Sequence, residues 1–512
     1  MQTRKSHIVI ALSSACLFSA SSEVFGQEAN ADSAPRRAWT ITPRVSISET
    51  FTNNVGLTST GQQSEQITEI SPGVQISVDS ARLKAYFDYS LVEVFYAQTS
   101  SPRSSQNSLN SFGTFEAVEN WAFVDFGGAI SRQAVSAFGS QAVNNVSLNS
   151  NQSEVSSYSL APYIRGRLGD TVSYEARYGR AKTSSDAALV SDVTTDDGSF
   201  KAKGGTAFRN LGWSADLTRQ RVDYSVGRST EADRINLGLS YSISSQVDVF
   251  VNLGREANNY TTFSKENYST SGLGIIWSPT EATRVSAFGD RRSFGNAHSV
   301  SLEHRTARTA WNYSDTKDVT ATPNQEGFGS LGSVYDLLFA QFATIQPDLI
   351  LRAQLVNAYL QANGISPNAN VAGSFLTSAL SLQRRQDLSF ALLGVRDTIT
   401  FFASRSKTSR LDTLSTAFDD FTTSQIVRQR GFSVNYAHRL SPDYSLGAFL
   451  SQQHTLGSLN SQDTTLRTIL INVVARVGKQ SSASVGLRRT VSGGIGSAYS
   501  ETAVTANLTA RF

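Results

Sequence analysis

The residues best equipped for chemistry in this sequence are its arginines, 36 of them against 9 lysines. A guanidinium offers a planar fork of donors that matches carboxylate, sulfate and phosphate groups two hydrogen bonds at a time. Arg165, Arg167, Arg177, Arg234, Arg284, Arg292 and Arg488 share one parity in stretches that alternate apolar and polar residues, and Glu175, Asp248, Glu256 and Asp290 share it with them. If the apolar parity faces lipid, all of these line a polar interior. Two readings stay open there. One is an Arg-biased wall for an anionic polymer or solute; the other is cross-strand ion pairs that stiffen the interior and bind nothing. Arg255, Arg291 and Arg489 follow the outward parity near predicted strand ends, where they would snorkel toward lipid headgroups or lipopolysaccharide phosphates.

Other chemistry is sparse. No Walker-type glycine loop, HExxH, CxxC or nucleophile elbow occurs. Gly493-Gly494-Ile495-Gly496 lacks the strand–helix context of a nucleotide site. His298 and His304 share a parity but no third ligand accompanies them, and His7, His438 and His454 lie elsewhere, so no metal site is expected. The sequence is not read as an enzyme and calls for no cofactor. A net charge of +3 gives no argument for nucleic acid.

The elements that must position these residues are strands. Ile235, Leu237, Leu239, Tyr241 and Ile243 alternate with Asn236, Gly238, Ser240 and Ser242; similar blocks run through Leu211–Thr218, Val247–Gly254 and Tyr444–Ser451. Blocks of about ten residues are long enough to cross an outer membrane at a tilt, whereas sandwich strands run nearer five or six. Tight turns at Asp79-Ser80, Glu119-Asn120, Gly169-Asp170-Thr171, Arg209-Asn210 and Ser244-Ser245-Gln246 alternate with long polar loops. Composition agrees: 39% hydrophobic residues and a mean hydropathy of −0.22 suit an oily exterior around a polar lumen. Trp121, Trp213, Trp277 and Trp311 fall at or near predicted strand ends, as interfacial girdles do. Val504, Leu508 and Phe512 close the chain on an alternating strand with a terminal aromatic, a pattern like the assembly signal of outer-membrane proteins. The expected fold is therefore all-β, a large antiparallel transmembrane barrel of about 20–24 strands.

One stretch breaks the pattern. Between strands expected at Arg308–Ser314 and Ser374–Gln383, Tyr335, Leu338, Phe339 and Phe342 fall at helical spacing. Pro347 with Asp348 then opens a second helix whose Leu351, Leu355 and Tyr359 share a face, closed by Asn363-Gly364. This helical insert, residues 326–373, would be a lumen plug, a cap over one mouth or a docking element, and its side of the membrane stays open.

The beginning reads as a secretory signal over residues 1–26. Arg4 and Lys5 precede an apolar run from Ile8 to Ala20, and Val24-Phe25-Gly26 sets a cleavage site before Gln27, with Ala29-Asn30-Ala31 as a second candidate near 31/32. Cys16 is read as filler of this segment, because Ser13 and Ser14 do not make a lipobox. Residues 27–38 form a short linker and 39–512 the barrel, so the expected location is the outer membrane of a Gram-negative bacterium.

Several segments together resemble a known family: Trp39-Thr40-Ile41-Thr42-Pro43, Glu49-Thr50-Phe51-Thr52-Asn53-Asn54-Val55, Ile70-Ser71-Pro72-Gly73-Val74, the Val334–Gln341 stretch, Phe375-Leu376-Thr377 and Leu382-Gln383-Arg384-Arg385-Gln386. They are similar to the outer-membrane proteins associated with PEP-CTERM/exosortase systems of exopolysaccharide gene clusters. The resemblance spans nearly the whole chain after the signal. It implies an outer-membrane barrel serving polysaccharide synthesis, export or display, and carries no established functional residues. The expected function is a porin-like pore or export conduit for polysaccharide or solutes, narrowed by the insert. The alternative is a non-conducting platform whose loops bind surface polymer or partner proteins. Expected partners are outer-membrane lipid and lipopolysaccharide, barrel-assembly machinery, and polysaccharide or periplasmic export components.

Overall fold

Alternation on this scale can satisfy every backbone group only by closing the sheet on itself, since an open edge cannot sit in lipid. The computed structural model describes residues 38–99, 103–187, 190–321, 335, 338–339, 342, 346, 348–362, 375–459 and 462–512. The signal and most of the linker expected from the sequence lie outside them, as do Pro347 and Asn363-Gly364.

Twenty-two antiparallel strands pair in chain order and close into a barrel. They are β1 Trp39–Thr52, β2 Glu65–Asp79, β3 Leu83–Tyr96, β4 Ser104–Val118, β5 Ala122–Ala134, β6 Gln152–Leu168, β7 Val172–Ser185 and β8 Val193–Gly205. Then come β9 Leu211–Tyr224, β10 Thr230–Ser244, β11 Val247–Asn258, β12 Glu266–Thr280, β13 Thr283–Arg292, β14 Gly295–Arg305 and β15 Thr309–Thr320. After the insert follow β16 Ser381–Leu393, β17 Asp397–Arg410, β18 Ile426–Arg439, β19 Tyr444–Leu456, β20 Asp463–Arg476, β21 Ser481–Gly494 and β22 Tyr499–Arg511. The seam pairs β1 with β22, from Arg44 opposite Arg511 to Thr52 opposite Ala503. Two helices are described, α1 Leu349–Ala362 and α2 Asp420–Thr423. No described helix is long and apolar enough to cross a membrane; the strands do that.

The two mouths differ. Ten connections at one end span two to five residues each, and Asn120 and Gly169 serve these tight turns with φ of +55° and +59°. The other end carries the 53–64, 135–151 and 411–425 loops and the 321–380 insert. An even strand count puts the ends of the barrel chain at the short-turn mouth. The insert therefore leaves and returns at the long-loop mouth, the extracellular side in bacterial barrels of this type.

The outward parity is apolar. Leu237, Leu239, Tyr241, Val251, Leu253, Leu273, Ile275, Ile471 and Leu487 are all exposed, a surface that only lipid can cover. Trp39, Trp121, Trp213, Trp277 and Trp311, all five tryptophans of the chain, lie at or beside strand ends of the short-turn mouth and form a girdle at one interface. Trp39 was not among the expected members. The strand expected at Ser374–Gln383 begins only at Ser381. Residues 375–380 are buried on both parities instead, with Phe375, Leu376, Ala379 and Leu380 inside the long-loop mouth. An apolar run of both parities cannot be half lumen and half lipid, so it packs as a loop.

Candidate functional site

The inward parity puts the arginines and acids of β6–β15 and β21 in the lumen, where the structure brings most of them together as pairs. Arg177 meets Asp125 at 2.7 Å and Glu175 at 3.5 Å. Arg234 pairs with Asp290. Arg292 spans Glu256 at 2.9 Å and Asp318 at 2.7 Å, and Arg488 holds Glu501 at 3.0 Å. Glu256 is fully buried, with Arg292 as its paired cation. Arg165 stacks over the Phe123 ring at 4.3 Å. Arg167 and Arg284 are exposed near the short-turn mouth, and Asp248 accepts from the Ser242 hydroxyl there at 2.5 Å. His298 and His304 point outward, bonded to Asp315 at 3.0 Å and to the Thr283 hydroxyl at 2.8 Å. Among the described residues no group of three or more His, Cys, Asp or Glu could hold a metal ion.

The described residues of the insert lie in the lumen. Tyr335, Leu338, Phe342, Ala353, Val356 and Leu360 bury together against Tyr86 of β3, with Phe112, Phe339 and Tyr359 packed on them. Phe112 lies 5.4 Å from the Tyr86 ring and 5.5 Å from Phe339. Asp348 caps α1 by accepting from the backbone N–H groups of Ile350 and Leu351 at 3.0 and 2.9 Å. The Asn357 amide donates to the Tyr86 hydroxyl, and Gln354 donates to Ser77 of β2 at 3.3 Å. On the far side, Asn435 of β18 donates to the Tyr359 hydroxyl. Tyr86, Ser77 and Asn435 all sit in the half of the barrel nearer the short turns. α1 thus lies deep in the lumen and bridges the β2–β3 wall to the β18 wall.

The face of α1 that packs shares only Tyr359 with the one expected. Ile350, Ala353, Val356 and Leu360 are buried, while Leu351 and Leu355 are 40% and 39% exposed. Arg352 on one side and Gln354 and Asn357 on the other divide the helix into two apolar stripes, and only the neighbouring wall chooses between them.

Beside α1, the wall from β17 through the seam to β5 lines a chamber of about 430 Å³ that runs from Ser482 and Arg511 near the short turns to Asn144 at the long-loop end, with Asn357 and Leu360 in its lining. One side is apolar, with Phe402, Phe449, Leu466, Leu470 and Val474; the other carries Arg44, Arg132, Arg488 and Arg511 against Glu69 and Asp88. Arg44 is held by Asp88 at 2.6 Å, and Arg132 donates to the Asn145 carbonyl at 2.8 Å. Sequence parity found Arg488 alone of these. Arg44 and Arg511 obey the same alternation, but that they face one cavity follows only from closure at the seam.

A lid closes the chamber. Loop 135–151 folds inward: Val146 buries with Val55, Ile67 and Val94, and Ala142 with Leu57, Leu466 and Tyr499. Of two adjacent carboxylates, Asp420 ties this loop down and Asp419 holds the end of the insert. Asp419 caps α2 by accepting from Phe421 at 3.0 Å and takes the Ser378 N–H at 3.0 Å. Asp420 accepts from the Ser136 hydroxyl at 2.6 Å and the Ala137 N–H at 2.7 Å. Burial lifts both carboxyls, that of Asp420 to about 6 against the pull of its hydrogen bonds.

Fold and site define a membrane-spanning barrel of outer-membrane type with an occupied lumen. Of the expected places for the insert, α1 takes one inside the lumen, and a filled lumen is the habit of 22-stranded barrels where one left clear is that of barrels of 16–18 strands. No family model matches the chain, and no curated protein matches it. Among solved structures, the FrpB iron transporter from Neisseria meningitidis is similar at 9% identity, with a TM-score of 0.47 over 93% of this chain and 82% of that one. The siderophore receptor PirA from Pseudomonas aeruginosa, at 9% identity, gives 0.42 over 92% and 80%. The ferric-catecholate import receptor Fiu from E. coli K12, at 8% identity, gives 0.45 over 92% and 81%. Likeness at this level says nothing about what this chain carries.

Proposed function

We propose that this chain is a gated conduit of the outer membrane for polysaccharide or related anionic solutes, with the β15–β16 insert as its gate. The observation that carries the reading is α1, which bridges the lumen from β2–β3 to β18 beside a chamber. Four arginines facing two carboxylates suit an acidic group, and Ser, Asn and Gln side chains with an aromatic wall suit a sugar ring. The resemblance to exopolysaccharide-associated barrels points to the same class of cargo. The terminal strand with Val504, Leu508 and Phe512 would be read by barrel-assembly machinery, and periplasmic export components would meet the short-turn mouth.

A second reading, the non-conducting platform, draws support from the lid. Apolar clusters pack inside the long-loop mouth, and Arg177, Arg234 and Arg292 of the β6–β15 wall already have acid partners. Single-channel conductance in planar bilayers separates the two. Loss of Glu326–Gly373 should open a large, anion-preferring conductance that the parent lacks. A folded deletion variant that stays silent overturns the conduit and favours the platform.

A further inference from the structure

The exterior of β17–β21 carries cations where a lipid-facing sheet should carry none unpaired. On β17, Arg405 and Lys407 point outward between the buried, lumen-facing Ser406 and Thr408; on β18, Arg428 and Arg430 flank the buried Gln429. Arg467 of β20 and Arg489 of β21 are likewise exposed. Counted from the short-turn end, Arg405 and Arg489 are the ninth residues of their strands, Arg430 and Arg467 the tenth, Lys407 the eleventh and Arg428 the twelfth. About 9–11 residues of tilted strand cross the hydrocarbon layer, so this belt lies where the outer leaflet's headgroups begin. Directly below it, Phe432, Leu450 and Ile469 are 44%, 45% and 48% exposed to the acyl chains.

The register makes the arrangement costly by itself. Arg405 is directly opposite Arg430, and Lys407 directly opposite Arg428. Like charges in facing positions of an antiparallel pair repel and destabilise it. Relief from within the protein is slight. Among the described residues, Arg405, Lys407, Arg428 and Arg467 have no acidic group within 4 Å. Arg430 donates to His454 at 3.2 Å, and His454 in turn holds Asp463 at 2.7 Å. The next acid along the exterior, Asp315, is taken by Arg384 at 2.7 Å and by His298. Two facing like-charge pairs with no counter-ion of their own make a site for an anion that bridges strands, and guanidinium forks select phosphate oxygens.

We propose that the Arg405/Arg430 and Lys407/Arg428 pairs, flanked by Arg467, bind the phosphates of a phosphorylated glycolipid of the outer leaflet, whose acyl chains lie on Phe432, Leu450 and Ile469. The apolar floor beneath the cations separates this occupant from free phosphate. The site is on the opposite face of the wall from the chamber and stands or falls apart from the conduit.

The test uses the purified full chain in detergent, with bis-phosphorylated lipid A, dephosphorylated lipid A and inorganic phosphate as probes. Thermal unfolding and native mass spectrometry are the readouts. The variant replaces Arg405, Lys407, Arg428 and Arg430 with Ser; these side chains are exposed, so the fold should survive. Without lipid the variant should melt above the parent, because repulsion has been removed. Phosphorylated lipid A should raise the parent's Tm and remain bound in the mass spectrometer, with binding about tenfold or more weaker in the variant. The proposal is overturned if dephosphorylated lipid A or inorganic phosphate stabilises the parent equally, or if the variant retains lipid A as tightly.

Discussion

Ser136 donates its hydroxyl to Asp420 at 2.6 Å, a bond between residues 284 apart that ties the lid loop to the β17–β18 loop. Burial lifts the Asp420 carboxyl to about 6, against an unfolded aspartate near 3.9. The folded group thus keeps its proton to higher pH than the unfolded one. Its contribution to the latch is complete below about pH 4, falls as pH rises toward 6 and is flat beyond. The protection factor of the Ala137 amide, the exchange rate divided into its intrinsic value at each pH, should fall across that window, and Asp420→Asn should remove the fall. A protection factor that stays flat in the parent would refute the assignment.

Arg292→Ser should be far more damaging than Arg165→Ser. The first strands the fully buried Glu256, a loss of about 3–5 kcal/mol. The second removes a ring contact near the water-filled mouth, worth about 1 kcal/mol or less. Urea titration of both variants in bilayers measures the difference.

Leu239→Arg and Ser240→Arg test the parity at adjacent positions. Leu239 is 52% exposed on the lipid side, where arginine costs about 2–4 kcal/mol at mid-depth. Ser240 faces the lumen, and arginine there should cost under about 1 kcal/mol. Refolding free energies of the two variants decide it.

Val356→Ser and Leu355→Ser discriminate the two faces of α1. Val356 is fully buried against Tyr86 and its neighbours, whereas Leu355 is exposed. Val356→Ser should cost about 2 kcal/mol of insert docking and raise open-channel events, while Leu355→Ser should leave the conductance trace unchanged.

Why some of this was legible before the structure and some was not follows from range. Period-two alternation is local, so Leu237 and Leu239 could be assigned to lipid and Arg234 to the lumen from their neighbours alone. The strand total came within the expected span for the same reason. The chamber is not local. Arg44, Arg132 and Arg511 meet because β1 closes on β22, and no pattern along the chain announces that. Nor could spacing choose between Leu351 and Val356 on a helix with two apolar stripes. The exterior pairs Arg405/Arg430 and Lys407/Arg428 needed the register, which a one-residue slip would have inverted.

The insert leaves β15 at Thr320 and rejoins β16 at Ser381, two strands that pair along their whole length from Thr309 opposite Leu392 to Thr320 opposite Ser381. Its two points of attachment are therefore neighbours on the outer rim, and the bonds that Gln354, Asn357 and Tyr359 make to the wall are contacts of side chains rather than rungs of the sheet. The 22 strands close on one another without α1 as a rung, so undocking the helix should leave the wall whole.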